Sequence, residues 1–411
     1  MRKSLLSLLL VLALLAGCAP ASGSPAETGS APQAAASSQP EPEPAPQPTT
    51  AHLMAAGDVM SHLPITTDAY VPASGTYSFA HMLQDASEQL SGADYALANL
   101  ETPLAGGPNY TGYPLFNAPD SLAADLKAAG FDLLSTANNH SMDQGTSGIY
   151  RTLDVLDQEG LAHVGTCRSQ EEREETSGIY VADVGGISVA FLSYTYGLNG
   201  FRLPQGEEHA VSLLNLDYYT TLADPDYDRI QADLEAARAL DPDLIAVIVH
   251  WGVEYQNAPN GHQTSMAQFL VEQGADLVLG SHPHVLQPYE TISVTGWDGQ
   301  ERQGFVCYSL GNFISNQPDL EMRTTVVLDL ELTRDPDTGE TALTDVSYLP
   351  YYMVHRDGQP AGQQRYLVDV HQALADQTLD GTPLTEGEVQ ELQAALEHCH
   401  TILGPEDDLG A

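Results

Sequence analysis

The sequence predicts an α/β domain. From residue 52 to about residue 320, apolar strand-like runs alternate with amphipathic helical stretches, the pattern of strands carrying crossover helices. Most of these runs end in a cluster of polar residues. Beyond them, Thr324 to Leu332 and Asp345 to His355 alternate like antiparallel strands.

Taken in order, the chain begins with a targeting segment, residues 1–17. Arg2 and Lys3 precede a short apolar run from Leu5 to Ala16, too short for a comfortable transmembrane helix. Leu15-Ala16-Gly17-Cys18 resembles a bacterial lipobox, which implies that Cys18 becomes the lipidated N-terminus of an extracytoplasmic, membrane-anchored protein. Residues 18–50 are rich in Pro, Ala, Ser and Glu and nearly devoid of large apolar side chains. Such a segment buries too little surface to offset the entropy of ordering and reads as a disordered tether.

The first strand is expected over His52 to Ala56, followed by Gly57-Asp58. A second covers Tyr95 to Ala98, ahead of Asn99-Leu100-Glu101. Asp120 is placed to cap a helix that ends at Gly130, and Phe131 to Ser135 is strand again, followed by Asn138-Asn139-His140 and Asp143. A helix from about Ser147 stops at Gly160. Ile187 to Ser193 is a strand with a long Tyr- and Gly-rich loop behind it. Asp226 to Leu240 is helix, Leu244 to Val249 strand, Ser265 to Gln273 helix, and Ala275 to Leu279 strand. Phe305 to Ser309 closes the series. Thr385 and Glu388 form a capping box for a helix near Val389 to Ile402.

Charge narrows the function. Asp and Glu number 56 against 14 Lys and Arg, a formal net charge of −42. That surface repels nucleic acid and anionic lipid, attracts divalent cations, and carries no basic footprint for nucleic acid. Cys167, Cys307 and Cys399 have neither disulfide-framework nor zinc spacing, and Cys307 reads as a core residue.

The chemistry-bearing residues share one kind of position. Asp58, Glu101, Asn139, His140, His250, His282 and His284 each lie one to a few residues past a strand's end. In open α/β sheets, that is where ligands bind. His282-Pro283-His284, read as extended backbone, would project both imidazoles to one side. Carboxylate, carboxamide and neutral imidazole together suit Mn, Fe or Zn, and the set is large enough for two divalent ions. Plain structural alternatives stand beside these: a turn cap for Asp58, a solvated loop for Glu101, a turn dipeptide for Asn138-Asn139 and a core histidine for His250, while Asn312 reads as a turn residue or a support behind the ligands rather than a ligand. His52, His62, His81, His262 and His400 read as surface or core positions.

GDVM (57–60), NLETPL (99–104), TANNHSMDQG (136–145), HWGVEY (250–255), GSHPHVLQPYE (280–290) and YSLGNF (308–313) resemble the CapA family, bacterial poly-γ-glutamate capsule synthesis proteins on the calcineurin-like metallophosphoesterase frame. The resemblance covers residues 51–320. It implies a layered αββα sandwich, with residues 321–411 adding C-terminal strands and a terminal helix to the same domain. It further implies Asp58, Glu101, Asn139, His250, His282 and His284 as metal ligands. His140 would be the proton donor to a leaving group, oriented by Asp143. The phosphoesterase pattern has histidine where this chain has Met60, and aspartate where it has Glu101.

Two functions remain open. One is metal-dependent hydrolysis of a phosphoester; the other is non-catalytic binding of an anionic capsule polymer through a cation-loaded cleft, alongside the capsule synthesis machinery. Amide-bond chemistry on the polymer would also have to be metal-assisted, because no Gly-x-Ser-x-Gly nucleophile motif is present.

Overall fold

A computed structural model describes residues 47–406. The targeting segment, Cys18 and nearly all of the tether lie outside the described residues. Fourteen strands of three residues or more build the domain. They are β1 (Thr49–Val59), β2 (Tyr95–Leu100), β3 (Leu133–Ser135), β4 (Ala162–Val164), β5 (Tyr180–Val184), β6 (Ile187–Thr195), β7 (Leu244–His250), β8 (Leu277–Ser281), β9 (Leu286–Thr295), β10 (Glu301–Leu310), β11 (Asn312–Ile314), β12 (Thr324–Arg334), β13 (Thr341–His355) and β14 (Arg365–Asp369). The longer helices are α1 (Ala80–Gly92), α2 (Ser121–Ala129), α3 (Gly145–Glu159), α4 (Tyr227–Ala239), α5 (Gly261–Glu272) and α6 (Glu386–Leu403).

Two sheets form. The first runs β14-β13-β12-β1-β2-β3-β4, with β11 also pairing β1; the second runs β9-β10-β8-β7-β6-β5. β1 through β4 are mutually parallel, as are β6, β7, β8 and β10, while β12, β13 and β14 add antiparallel strands beside β1. One apolar core lies between the sheets and includes Leu53, Ala55 and Leu97 with Phe191, Ala246 and Leu277. A second packs α1 and α2 on the outer face of the first sheet through Met82, Leu83, Leu122 and Leu126. A third packs α4 and α5 on the outer face of the second through Leu234, Met266 and Leu270. The order of layers is therefore α-β-β-α, as the family resemblance implies.

Parallel strands alternating with helices put all their carboxyl ends at one edge. There the backbones come very close. A Cβ on Gly57 would lie 2.0 Å from the Gly311 carbonyl oxygen, and one on Gly280 would lie 2.0 Å from that of Tyr308. These glycines let β1 reach β11 and β8 reach β10.

Several local expectations change. β1 begins at Thr49, inside the segment read as tether, because Thr49 and Thr50 pair with Arg334 and Thr333 of β12. Asp120 precedes α2 but gives its side chain no capping bond; its carboxylate takes a two-pronged contact from Arg151 instead. α5 starts at Gly261 rather than Ser265, since Asn260 and Gln263 form a capping box. The α6 capping box is formed as expected. Cys167, Cys307 and Cys399 are free and buried.

Gly57→Ala should lower stability by about 1–3 kcal/mol through overpacking, whereas Gly92→Ala, with nothing within 4 Å of the added methyl, should be neutral or stabilising. Urea unfolding of the two variants checks this.

Candidate metal centre

Asp58 sits near the end of β1 with its N–H on the Gly311 carbonyl at 3.0 Å. Its register neighbours are Asn99 on β2 and Asn312 on β11. The Asn99 side chain donates to Asp58 Oδ1 at 2.7 Å, and the His282 backbone N–H donates to Oδ2 at 3.1 Å. Glu101 follows β2, His250 ends β7, and His282 and His284 follow β8. All five side chains are buried, and Glu101 and Asp58 are 0 % exposed.

The groups converge around Glu101. Its Oε1 lies 3.6 Å from His250 Nε2, 3.9 Å from His284 Nε2 and 4.0 Å from His140 Nε2. His284 Nδ1 is 3.3 Å from Asp58 Oδ2. Asn139 Oδ1 is 3.0 Å from His250 Nε2. Three groupings bring ligand atoms within 4.8 Å of one another: Glu101, His250 and His282; Asp58, Glu101 and His284; and Glu254, His282 and His284. Glu101 belongs to two of them, which suits a bridging carboxylate.

Electrostatics favours a cation here. Both Glu101 oxygens and His282 Nδ1 are buried without any hydrogen-bond partner. A buried carboxylate with no donor is strongly unfavourable in ionised form. Burial, followed by the nearby Asp58 charge, accordingly pushes the Glu101 carboxyl well above its usual range. Burial, followed by neighbouring imidazoles, pushes His250 and His282 well below theirs, so both are neutral. Neutral imidazole beside orphaned carboxylate oxygens is a donor set that fits a divalent ion.

The surrounding contacts fix the donors. His250 Nδ1 meets Ser281 Oγ at 2.8 Å, and His284 Nδ1 meets Asn312 Oδ1 at 3.0 Å. Such bonds set tautomer and ring orientation. Tyr196 packs on His282 with ring centroids 4.5 Å apart, and Asn139 Nδ2 donates to Asn199 Oδ1 at 3.2 Å. His140 Nδ1 is 2.7 Å from Asp143 Oδ2, while Phe116 packs edge-on against the ring at 4.7 Å.

The extended geometry expected for His282-Pro283-His284 is not what forms. His282 has φ +96° and His284 φ +59°, both in a region disfavoured for side chains bearing Cβ. The chain must fold back directly after Ser281. Positive φ aims the His282 N–H at Asp58 while leaving the Pro283 carbonyl to accept from Tyr255 N–H at 2.8 Å. Strain of this kind costs on the order of 1–3 kcal/mol per residue and clusters at functional sites.

Seven singled-out residues, Asp58, Glu101, Asn139, His140, His250, His282 and His284, meet in one place, with Asp143 behind His140. Asn312, read as a turn residue or a support behind the ligands, takes the second role and orients His284. Asn138 bonds Asn99 and the Leu100 carbonyl, a supporting role. His62, read as surface or core, is half-buried at the cleft margin beside Phe116, where burial lowers its imidazole to about 4. Met60 is buried and supplies no ligand. Glu254, Asn99 and Tyr196 were not singled out. Glu254 stands four residues past His250 within HWGVEY, and Asn99 two before Glu101 within NLETPL, so motif membership was the available signal.

Stacked sheets flanked by helices, with clustered carboxylate, carboxamide and imidazole donors at one edge, define a layered α/β protein with a candidate metal centre. The family model described as "Bacterial capsule synthesis protein PGA_cap" matches residues 52–317, and the chain belongs to that family. It is similar to the capsule biosynthesis protein CapA of Bacillus anthracis, 28% identical over 359 residues covering 84% of this chain and 78% of that one. It is also similar to the PGA biosynthesis protein CapA of Bacillus subtilis strain 168, 29% identical over 62% of this chain and 61% of that one. Among solved structures, the calcineurin-like phosphoesterase YfkN of Bacillus subtilis aligns with 13% identity over 86% of this chain and 98% of that one, TM-score 0.39.

Glu101→Gln should stabilise the metal-free protein by about 1–3 kcal/mol at pH 8, because it removes a carboxyl that is costly there, whether ionised without a donor or holding a proton that the unfolded chain would release. The raised Glu101 carboxyl means the parent loses stability as pH climbs above the ordinary value of 4.5, so the difference should vanish near pH 4. The same variant should retain less metal. Denaturant titrations at both pH values and metal analysis check the pair of effects.

Proposed function

We propose that this protein is a metal-dependent phosphoester hydrolase acting in capsule synthesis, anchored outside the cytoplasmic membrane through lipidated Cys18. The observation that carries the catalytic reading is the pairing of an orphaned, fully buried Glu101 with a His140–Asp143 couple whose free nitrogen faces it. Asp58, Glu101, Asn139, His250, His282 and His284 would hold divalent ions, with Glu254 as a further donor. Ions held there would supply Lewis acidity and an activated water for attack on phosphorus.

The chain's own residues do the rest. Asp143 accepts from His140 Nδ1, which leaves Nε2 to hold or deliver a proton at the leaving oxygen. Phe116 braces that ring, and its N–H donates to the same Asp143 oxygen at 2.7 Å. Exposed Tyr113 and Tyr255 stand beside His140 and His284, at 6.5 and 6.1 Å between ring centroids. Among the described residues, the carboxylates of the cluster pair only with imidazoles, so cations must offset the charge of an incoming anion.

A second reading is binding of an anionic polymer through bound cations without turnover. Met60 favours it, standing where the phosphoesterase resemblance implies a histidine, so one ion would be held by fewer donors.

The metal-loaded protein should hydrolyse a phosphomonoester or phosphodiester, and chelator should abolish the activity. His140→Ala should cut turnover about 10²–10⁴-fold with bound metal unchanged. Chelator-sensitive polymer binding without phosphoester or γ-glutamyl turnover would instead select the second reading. Cys18→Ala should move the protein from membrane to soluble fractions and end incorporation of labelled palmitate.

A further inference from the structure

A cavity of about 280 Å³ opens beside the candidate metal centre, lined by residues that touch or adjoin its histidines. Tyr196 forms the shared wall: it lines the cavity while its ring packs on His282 at 4.5 Å and stacks near His250 at 6.3 Å between centroids. The opposite connection is Trp251-Gly252-Val253, the stretch between His250 and Glu254, which also lines the cavity. Trp251 is held in place by its Nε1–H, which donates to the Tyr308 carbonyl at 2.9 Å.

The lining combines apolar side chains with carboxamides, hydroxyls and the imidazole of His262. No carboxylate, lysine or arginine contributes to it, although the chain carries 56 acidic residues. Its carboxamides are largely committed to the fold. Asn215 Nδ2 donates to the Tyr196 carbonyl, Asn260 caps α5, and Gln263 bonds Gln287 and the Asn260 N–H. Leu214, Trp251 and Met266 supply buried apolar surface, while Leu222, Tyr227 and Val253 are exposed around the opening. Exposed apolar side chains gathered at a concave site mark a ligand groove more often than chance placement does.

We infer that this cavity is the subsite for an uncharged, ring-sized organic group of the molecule whose anionic group engages the metal centre. The inference rests on the phosphoester reading of the cleft and names the substrate class: a phosphoester bearing a neutral aryl or heterocyclic portion. A polymer with a carboxylate at every residue offers no such group.

Phosphonates test this without turnover. Methyl-, phenyl- and benzylphosphonate are titrated calorimetrically into the full-length, metal-loaded protein. At least one ring-bearing member should bind about tenfold or more tightly than methylphosphonate. Ser265→Phe, at an exposed α5 position lining the cavity, should erase that preference while leaving methylphosphonate affinity within about twofold. Leu222→Ala should weaken only the ring-bearing members. Equal affinities across the series, or a preference untouched by Ser265→Phe, would overturn the inference.

If methylphosphonate itself does not bind, the metal-site reading fails and the cavity is judged separately. The chain has two tryptophans, so Trp297→Phe leaves Trp251 as sole reporter. Saturable quenching by phenol that Ser265→Phe removes supports the subsite, and its absence rejects it.

Discussion

A carboxylate buried with no donor to receive it governs this domain. Glu101 has only two low-energy conditions at that position: neutralised by a proton, or neutralised by a cation. The neighbouring groups are arranged for the second. His250 and His282 are held neutral, so they offer lone pairs rather than competing charge. Asp58 is kept in place by Asn99 and by a backbone N–H, not by an arginine that would have satisfied the same charge permanently.

That arrangement requires strand ends from both sheets to meet within a few ångströms. Glycine provides the approach at Gly57 and Gly280, where any side chain would strike a carbonyl. Left-handed histidines provide the turn, since an extended His282-Pro283-His284 would carry the chain onward rather than back across β1. Local strain and close packing at this edge are offset by burial in the large apolar layers on either side.

Much of this was legible in the sequence. Short apolar runs ending in polar clusters gave the parallel strands their positions, and the clusters proved to be neighbours. What stayed hidden has physical causes. α1 has no capping side chain and is rich in polar residues, so its apolar stripe of Met82, Leu83, Ala86 and Leu90 is diluted. β9 is an edge strand with a proline and mostly solvent-facing positions, a weak strand pattern. Glu254 lies in a turn and Tyr196 at the start of an irregular loop, where no periodicity points to a cleft. The positive φ of His282 and His284 was unforeseeable from residue type, because histidine in a turn follows tertiary demands.

The position of β1 in the first sheet has a kinetic consequence. It is flanked by β2 and β12, and its Asp58 registers with Asn312, a partner from the far end of the matched region. Long-range pairing of this sort pays its loop-closure entropy before any contact rewards it, which makes folding slow. A chain interrupted before residue 312 would hold Asp58, Glu101 and the histidines but lack the strand that seats β1 among them. The full donor set of the candidate metal centre is thus assembled only near the end of folding, and an ion bound there would report that the domain has closed.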